Sequence, residues 1–415
     1  MPPVVSISII AKRGLVKFVL LILVLSYLTQ SKLIAFTELV YSKPKIILPG
    51  AYRMDSYLNL LDGKRVGLVV NQSSKLGQVH LVDTLLAKKI QIVKIFAPEH
   101  GFRGDVEAGG AIENQFDLKT GLPIVSIYGK KSKPSSEDLK DVDCLLFDIQ
   151  DVGVRFFTYI STLHYVMEAC AENGVPLIVL DRPNPNGFYV DGPVLDSCCK
   201  SFIGVDPIPI VYGMTIGELA KMIKGEAWIK SGDKLQLKII PCSNYSHKSY
   251  YELPINPSPN LKNQLAVLLY PSLCFFEGTS VSLGRGTDWP FLIYGHPLFF
   301  NKYPFSFTPL SRTEAINPPW KNQMCFGNDL RTVNLMDLRK SKKIQLKYLI
   351  DAFQKMPNKD SFFLKNLFFD KLAGTTSLRK NLIAGNTEAE IRKTWQPAIK
   401  KFMDKRKKYL LYEDF

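Results

Sequence analysis

Glu99 stands in Pro98-Glu99-His100-Gly101, directly after an apolar run at 90–96. Proline stiffens the chain on one side and glycine frees it on the other, so a defined turn presents the carboxyl at a strand end. A carboxyl partly withdrawn from water can hold a proton near neutral pH. That is what a general acid needs to protonate a departing oxygen. The plainer alternative is an ion pair with Arg103, and His100 either orients Glu99 or a ligand, or simply fills a structural hydrogen-bonding place. A second carboxylate, Glu277, lies in Phe276-Glu277-Gly278-Thr279-Ser280, shortly before Gly284-Arg285-Gly286. Small residues there let backbone and ligand come close. Two carboxylates facing one groove are the pair that glycosidic bond cleavage uses. Trp289 and Phe291 offer a face for stacking on a sugar ring, although core packing is the commoner fate of aromatics.

The elements that would position these residues alternate regularly. Apolar runs at 65–70, 90–96, 124–127, 143–147 and 175–180 are separated by helical patterns such as 80–88 and 162–173. Strands and helices at this pitch predict βαβ units and a parallel sheet. The fold class is therefore α/β, with a Rossmann-like catalytic domain over 45–190 and a second, smaller mixed α/β domain over 191–415. In that second part the strand-like run 235–241 is short, and 344–412 is mostly helical, most clearly at 346–356 and 388–409.

Ligands of open parallel sheets sit beyond the carboxyl ends of the strands. The residues following the five runs are all polar: Asn71; the Glu99 turn with His100 and Arg103; Tyr128; Asp148, Gln150, Asp151 and Arg155; and Asp181, Arg182 and Asn184. They predict one shared site. Asn71, His100, Arg103, Tyr128, Asp148, Gln150, Arg155, Arg182, Asn184 and Arg285 are its candidate binding residues, against the alternative of helix caps and internal ion pairs. The first strand is followed by Asn71-Gln72-Ser73-Ser74 and not by GxGxxG, so no dinucleotide cofactor is expected. Asp148 and Asp151 leave room for a divalent-metal hydrolase, but no histidine spacing supports a metal.

The 415 residues are 46% apolar and 22% charged, ordinary globular values. Lys12, Arg13 and Lys17 precede the apolar run 18–28, so 1–35 is expected to be an export signal or an uncleaved N-terminal anchor of a periplasmic or extracellular protein. The net charge of +15 falls to about +11 without that segment, which holds four basic and no acidic residues. Basic residues at 400–408 interleave with Ile399, Phe402, Met403, Tyr409 and Leu410, which reads as a solvated helix face and not as a nucleic-acid site. Seven scattered cysteines without a CxxC pair give neither a zinc site nor a disulfide framework, and Cys144 and Cys170 fall at core positions.

Several long motifs together resemble the NamZ-type exo-β-N-acetylmuramidases, glycoside hydrolase family 171, formerly an uncharacterised domain family. They are APEHGFRGDVEAG (97–109), FDIQDVGVRFFTYISTLHYVMEA (147–169), VLDRPNPNG (179–187), DGPVL (191–195), GMTIGELA (213–220), PSPNL (257–261), FEGTSVSLGRGTDWPF (276–291), FDKLAG (369–374) and KKYLLY (407–412). Tyr212 stands where the family usually has histidine. The resemblance implies release of N-acetylmuramic acid from non-reducing ends of peptidoglycan fragments, in a cleft between a Rossmann-like domain and a smaller C-terminal one. It implies Glu99 as the catalytic glutamate, and an arginine gripping the lactyl carboxylate of the sugar. A non-catalytic peptidoglycan-binding protein is the alternative from another class.

Overall fold

The computed structural model describes residues 46–103 and 115–415; the expected leader at 1–35 and the 97–109 motif from 104 onward lie outside the described residues. Strand β1 (Val66–Val70) leads into a short hairpin, β2 (Lys75–Leu76) and β3 (Val79–His80), and then helix α1 (Leu81–Ala87). Next come β4 (Ile92–Ala97), β5 (Gln115–Phe116), β6 (Pro123–Ser126), the short α2 (Ser136–Leu139) and β7 (Cys144–Asp148). Helix α3 (Tyr159–Asn173), β8 (Leu177–Leu180), α4 (Ile216–Gly225) and β9 (Leu237–Ile240) complete this part.

The seven-stranded sheet has the order β5-β6-β4-β1-β7-β8-β9. All neighbours are parallel except β5, which runs antiparallel to β6. Counted in chain order, the parallel strands lie 3-2-1-4-5-6, the doubly wound arrangement whose crevice opens where the order reverses, between β1 and β7. Both faces of the central strands are covered, so they read as unbroken apolar runs. Leu68, Val70, Cys144 and Leu146 join one core layer, and their neighbours Val69, Leu145 and Phe147 join the other. β9 pairs with β8 and so carries the sheet well past residue 190.

The C-terminal part contains α5 (Gln264–Leu273) and a small antiparallel sheet of β10 (Ile293–His296), β11 (Phe305–Phe307) and β12 (Cys325–Asp329), with β12 in the middle. Helices α6 (Leu335–Ser341), α7 (Lys347–Lys355), α8 (Phe368–Ala373), α9 (Ser377–Ile383) and α10 (Glu388–Arg406) follow. A Thr387–Glu390 capping box starts α10, whose buried stripe is Ile391, Trp395, Ile399 and Phe402. Lys400, Lys401, Lys407 and Lys408 are exposed, while Arg406 is buried against the Gly213 carbonyl and Asp414. From Ile47 to Phe415 the chain is one unit, with a core layer that runs from β1 to α10. Among the described residues no helix is long and apolar enough to cross a membrane.

Residues 411–414 lie along the carboxyl side of β8 and β9. The Leu411 N–H donates to Glu218 (2.7 Å) and the Tyr412 hydroxyl to Asp181. Asp181 is fully buried and also accepts from the Thr215 hydroxyl (2.7 Å) and the Gly217 N–H (2.8 Å). Burial, opposed by the Tyr412 hydrogen bond, pushes its carboxyl up from 3.8 to about 6. The native carboxyl thus keeps its proton to higher pH than the unfolded one. Its contribution to stability is full below about 3.8 and is lost as pH rises through about 6. Urea unfolding of wild type and Asp181→Asn should show the difference moving against the wild type by about 3 kcal/mol between about pH 4 and pH 7. A pH-independent difference would mean that Asp181 titrates as it does in water.

Candidate active site

The Glu99 turn is closed by the Gly101 N–H donating to the Pro98 carbonyl at 3.0 Å. His100 has φ +67° and Gly101 φ +77°. A histidine in the left-handed region costs about 1–3 kcal/mol, a strain that clusters at functional sites. The turn sets Glu99 beside the start of α3, where the Thr158 hydroxyl donates to its Oε2 at 2.6 Å. The Tyr128 phenol, just past β6, lies near Glu99; burial first, and then the Glu99 charge, push that phenol well above its ordinary 10. Tyr159 is shifted the same way by the same two causes. Both phenols therefore remain protonated at neutral pH and available as donors.

Glu99 opens onto a cavity of about 990 Å³. His100, Tyr128, Thr158 and Tyr159 line its sheet side, and Glu277, Arg285, Phe291 and Trp320 line the C-terminal side. The cavity is of the size and mostly apolar character typical of small-molecule sites, with many aromatic residues in its wall. Glu277 is ion-paired with Arg285, whose Nε and Nη2 both donate to Oε1, the former at 3.2 Å. Arg285 also lies 5.4 Å from the centre of the Phe291 ring. Glu99 from the sheet side and Glu277 from the C-terminal part therefore face one cavity, which Glu314, ion-paired with Lys262, also lines.

The sequence signature described as "Exo-beta-N-acetylmuramidase NamZ, N-terminal" matches residues 66–265, and its C-terminal counterpart matches 268–412. The peptidoglycan β-N-acetylmuramidase NamZ of Bacillus subtilis (strain 168) is 37% identical over 388 residues, covering 89% of this chain and 92% of that protein. The chain belongs to the NamZ exo-β-N-acetylmuramidase family. It is a glycoside hydrolase by that membership. Two DUF1343 family proteins of Bacteroides fragilis NCTC 9343 share the fold. The first has a TM-score of 0.83 and 45% identity, over 89% of this chain and all of that one. The second has a TM-score of 0.75 and 30% identity, over 88% of this chain and 99% of that one.

Within this NamZ-family cavity the structure brings together Glu99, Glu277, His100, Tyr128 and Arg285, and it places the other candidates elsewhere. Arg182 and Asp148 form a buried two-pronged ion pair (2.6 and 2.8 Å) that ties β8 to β7. Arg103 pairs with Asp117 (2.8 Å), not with Glu99. Gln150 donates to the Asp151 and Pro183 carbonyls (2.7 and 2.8 Å), and Asn184 to the Met214 carbonyl (2.7 Å). Asn71 accepts from the Ser73 N–H and hydroxyl (2.9 and 2.6 Å). Asp151 accepts from the Gly153 N–H (2.6 Å) and from Tyr212, so the tyrosine at the family's histidine position is buried away from the cavity. For all but Arg103, which is itself exposed, the physical reason is shared: at the packed end of a doubly wound sheet, buried polar groups must find partners inside the protein.

Arg155 is the extreme case. It is fully buried and donates to the carbonyls of Pro193, Ile208, Leu372 and Ala373 (2.7–3.1 Å). The last two are at the C-terminal end of α8, where a cation also suits the helix dipole. Gly374 makes room: at φ +73°, a Cβ there would lie 2.2 Å from Arg155 Nη2. The metal alternative finds no donor set, because Asp148 and Asp151 are engaged and no group of three or more His, Cys, Asp or Glu side chains among the described residues could hold an ion. Trp289 lies 4.0 Å from the Arg331 guanidinium instead of in the cavity. Sequence reasoning missed Thr158, Tyr159, Asn260 and Trp320. The first three sat inside quoted motifs, and Trp320 carried no signal beyond its prolines.

Arg155→Met should lower unfolding free energy by about 3 kcal/mol or more, because several buried carbonyls lose their donor together. The activity of the folded fraction should stay within about twofold. A stable variant that loses activity would instead place Arg155 at the ligand.

Proposed function

We propose that this chain is an exported exo-β-N-acetylmuramidase that releases N-acetylmuramic acid from the non-reducing ends of peptidoglycan fragments, with Glu99 as general acid/base. The observation that supports it is Glu99 itself: a carboxyl held by the Thr158 hydroxyl at a strand end, facing a cavity that Glu277 also lines. Glu99 delivers a proton to the leaving glycosidic oxygen, and later takes one from the attacking water. Glu277, held by Arg285, is the second carboxylate of the pair. Arg285, the one arginine among the candidates that lines the cavity, also meets the lactyl carboxylate of the muramic sugar through Nη1, which its ion pair with Glu277 leaves out. Trp320, half-buried in the cavity wall, offers an apolar ring face to the sugar, whereas Phe291 is buried beneath Arg285. Export is supported by the apolar run at 18–28 behind Lys12, Arg13 and Lys17.

Incubation with a muramyl-glucosaminyl disaccharide should yield free N-acetylmuramic acid. On a chromogenic N-acetylmuramic acid glycoside, Glu99→Gln should lower kcat by about 100- to 10,000-fold, the range general acid catalysis supplies, with little change in melting temperature. An unchanged rate would remove Glu99 from the chemistry. Full binding without turnover in the wild type would favour a non-catalytic wall-binding protein.

A further inference from the structure

Asn260 lines the same cavity and is only 2% exposed, yet neither its amide oxygen nor its amide nitrogen has a hydrogen-bond partner among the described residues. A buried polar atom left unpaired is costly, and native structures keep few of them. Here two occur on one side chain, in the wall of a functional cavity. The other cavity-lining side chains bearing nitrogen or oxygen include only one such orphan, the Ser280 hydroxyl.

The loop that carries Asn260 is held firmly. Gln72, just past β1, donates to the carbonyls of Asn256 and Pro257 (3.4 and 3.1 Å). The Tyr159 hydroxyl lies 3.5 Å from the Pro257 carbonyl and also 3.5 Å from the Glu99 carbonyl. A turn follows, with the Asn260 N–H donating to the Ser258 hydroxyl (3.3 Å) and the Leu261 N–H to the Ser258 carbonyl (3.2 Å). The orphaned amide thus belongs to a fixed loop next to the strand end that bears the catalytic carboxyl.

We propose that Asn260 is a specificity-determining residue that reads the 2-acetamido group of the sugar, its amide oxygen accepting the acetamido N–H and its amide nitrogen donating to the acetamido carbonyl. The assignment rests on the hydrolase reading above. An amide offers one acceptor and a pair of donor hydrogens; an acetamido group offers the complementary donor and acceptor. That group sits on the ring carbon next to the anomeric carbon, so a reader for it belongs beside Glu99. A site built to hydrogen-bond a substrate group rejects analogues that lack it far more strongly than an apolar pocket does, because its own polar atoms are then left unpaired.

The test compares two chromogenic glycosides, one of N-acetylmuramic acid and one in which a hydroxyl replaces the 2-acetamido group. Wild type should prefer the first by about 100-fold or more in kcat/KM. Asn260→Leu should reduce that preference at least about tenfold, through loss on the acetamido substrate with the hydroxyl analogue unchanged. Asn260→Asp keeps the shape and one acceptor but loses the donor, so it should show the same loss and serves if the leucine variant folds poorly. An equal loss on both glycosides, or no loss, would overturn the assignment and leave Asn260 a holder of bound water. A wild type that cleaves neither glycoside would overturn the hydrolase reading and this assignment with it.

Discussion

The hydrogen bond from the Thr158 hydroxyl to Glu99 joins the end of one strand to the start of the helix that follows another. It can form only because β4 and β7 flank β1, the point at which the strand order reverses. A carboxyl on a turn alone would sample several rotamers; this one is held by the Thr158 hydroxyl at the start of α3, with the Tyr128 phenol close by. The strained His100 backbone fits the same picture, since a left-handed histidine persists only where its surroundings over-determine the turn. Catalysis by proton transfer depends on such fixed geometry.

Around this carboxyl the polar groups divide into two sets with different fates. Those beyond β1, β7 and β8 bond one another, as in Arg182–Asp148, Gln150–Pro183 and Asn184–Met214, and build a rigid buried floor. Those beyond β4 and β6, with the loops at 257–261 and 276–291, face the cavity. The first set gives position, and the second is the one that the proposed chemistry uses. Arg155 shows how far the first set reaches, since its guanidinium links the 147–169 motif to the end of α8.

Much of the fold was legible because parallel strands buried on both faces announce themselves as continuous apolar runs. β1, β4, β6, β7 and β8 fall within two or three residues of those runs. β9 is an edge strand with Lys238 exposed, so it lacks that signature, and the sequence alone put it in the second region. The short strands β10 to β12 carry mixed patterns for a similar reason. In the site, Glu99 stood out through the proline and glycine around it. The arginines misled, because a guanidinium after a strand looks the same in sequence whether it meets a ligand, as Arg285 can, or four backbone carbonyls, as Arg155 does. Thr158 and Asn260 acquire meaning only from what the fold sets beside them, and no local pattern encodes that.

In the proposed mechanism Glu99 works because Thr158 holds it in place. The most direct measurement is the steady-state kinetics of Thr158→Val and Thr158→Ser on a muramyl glycoside. The valine variant, which keeps the shape and loses the donor, should lose about 10- to 100-fold in kcat with KM little changed. The serine variant, which restores the hydroxyl, should recover most of that loss. Equal rates in all three proteins, or a serine variant as slow as the valine one, would contradict it.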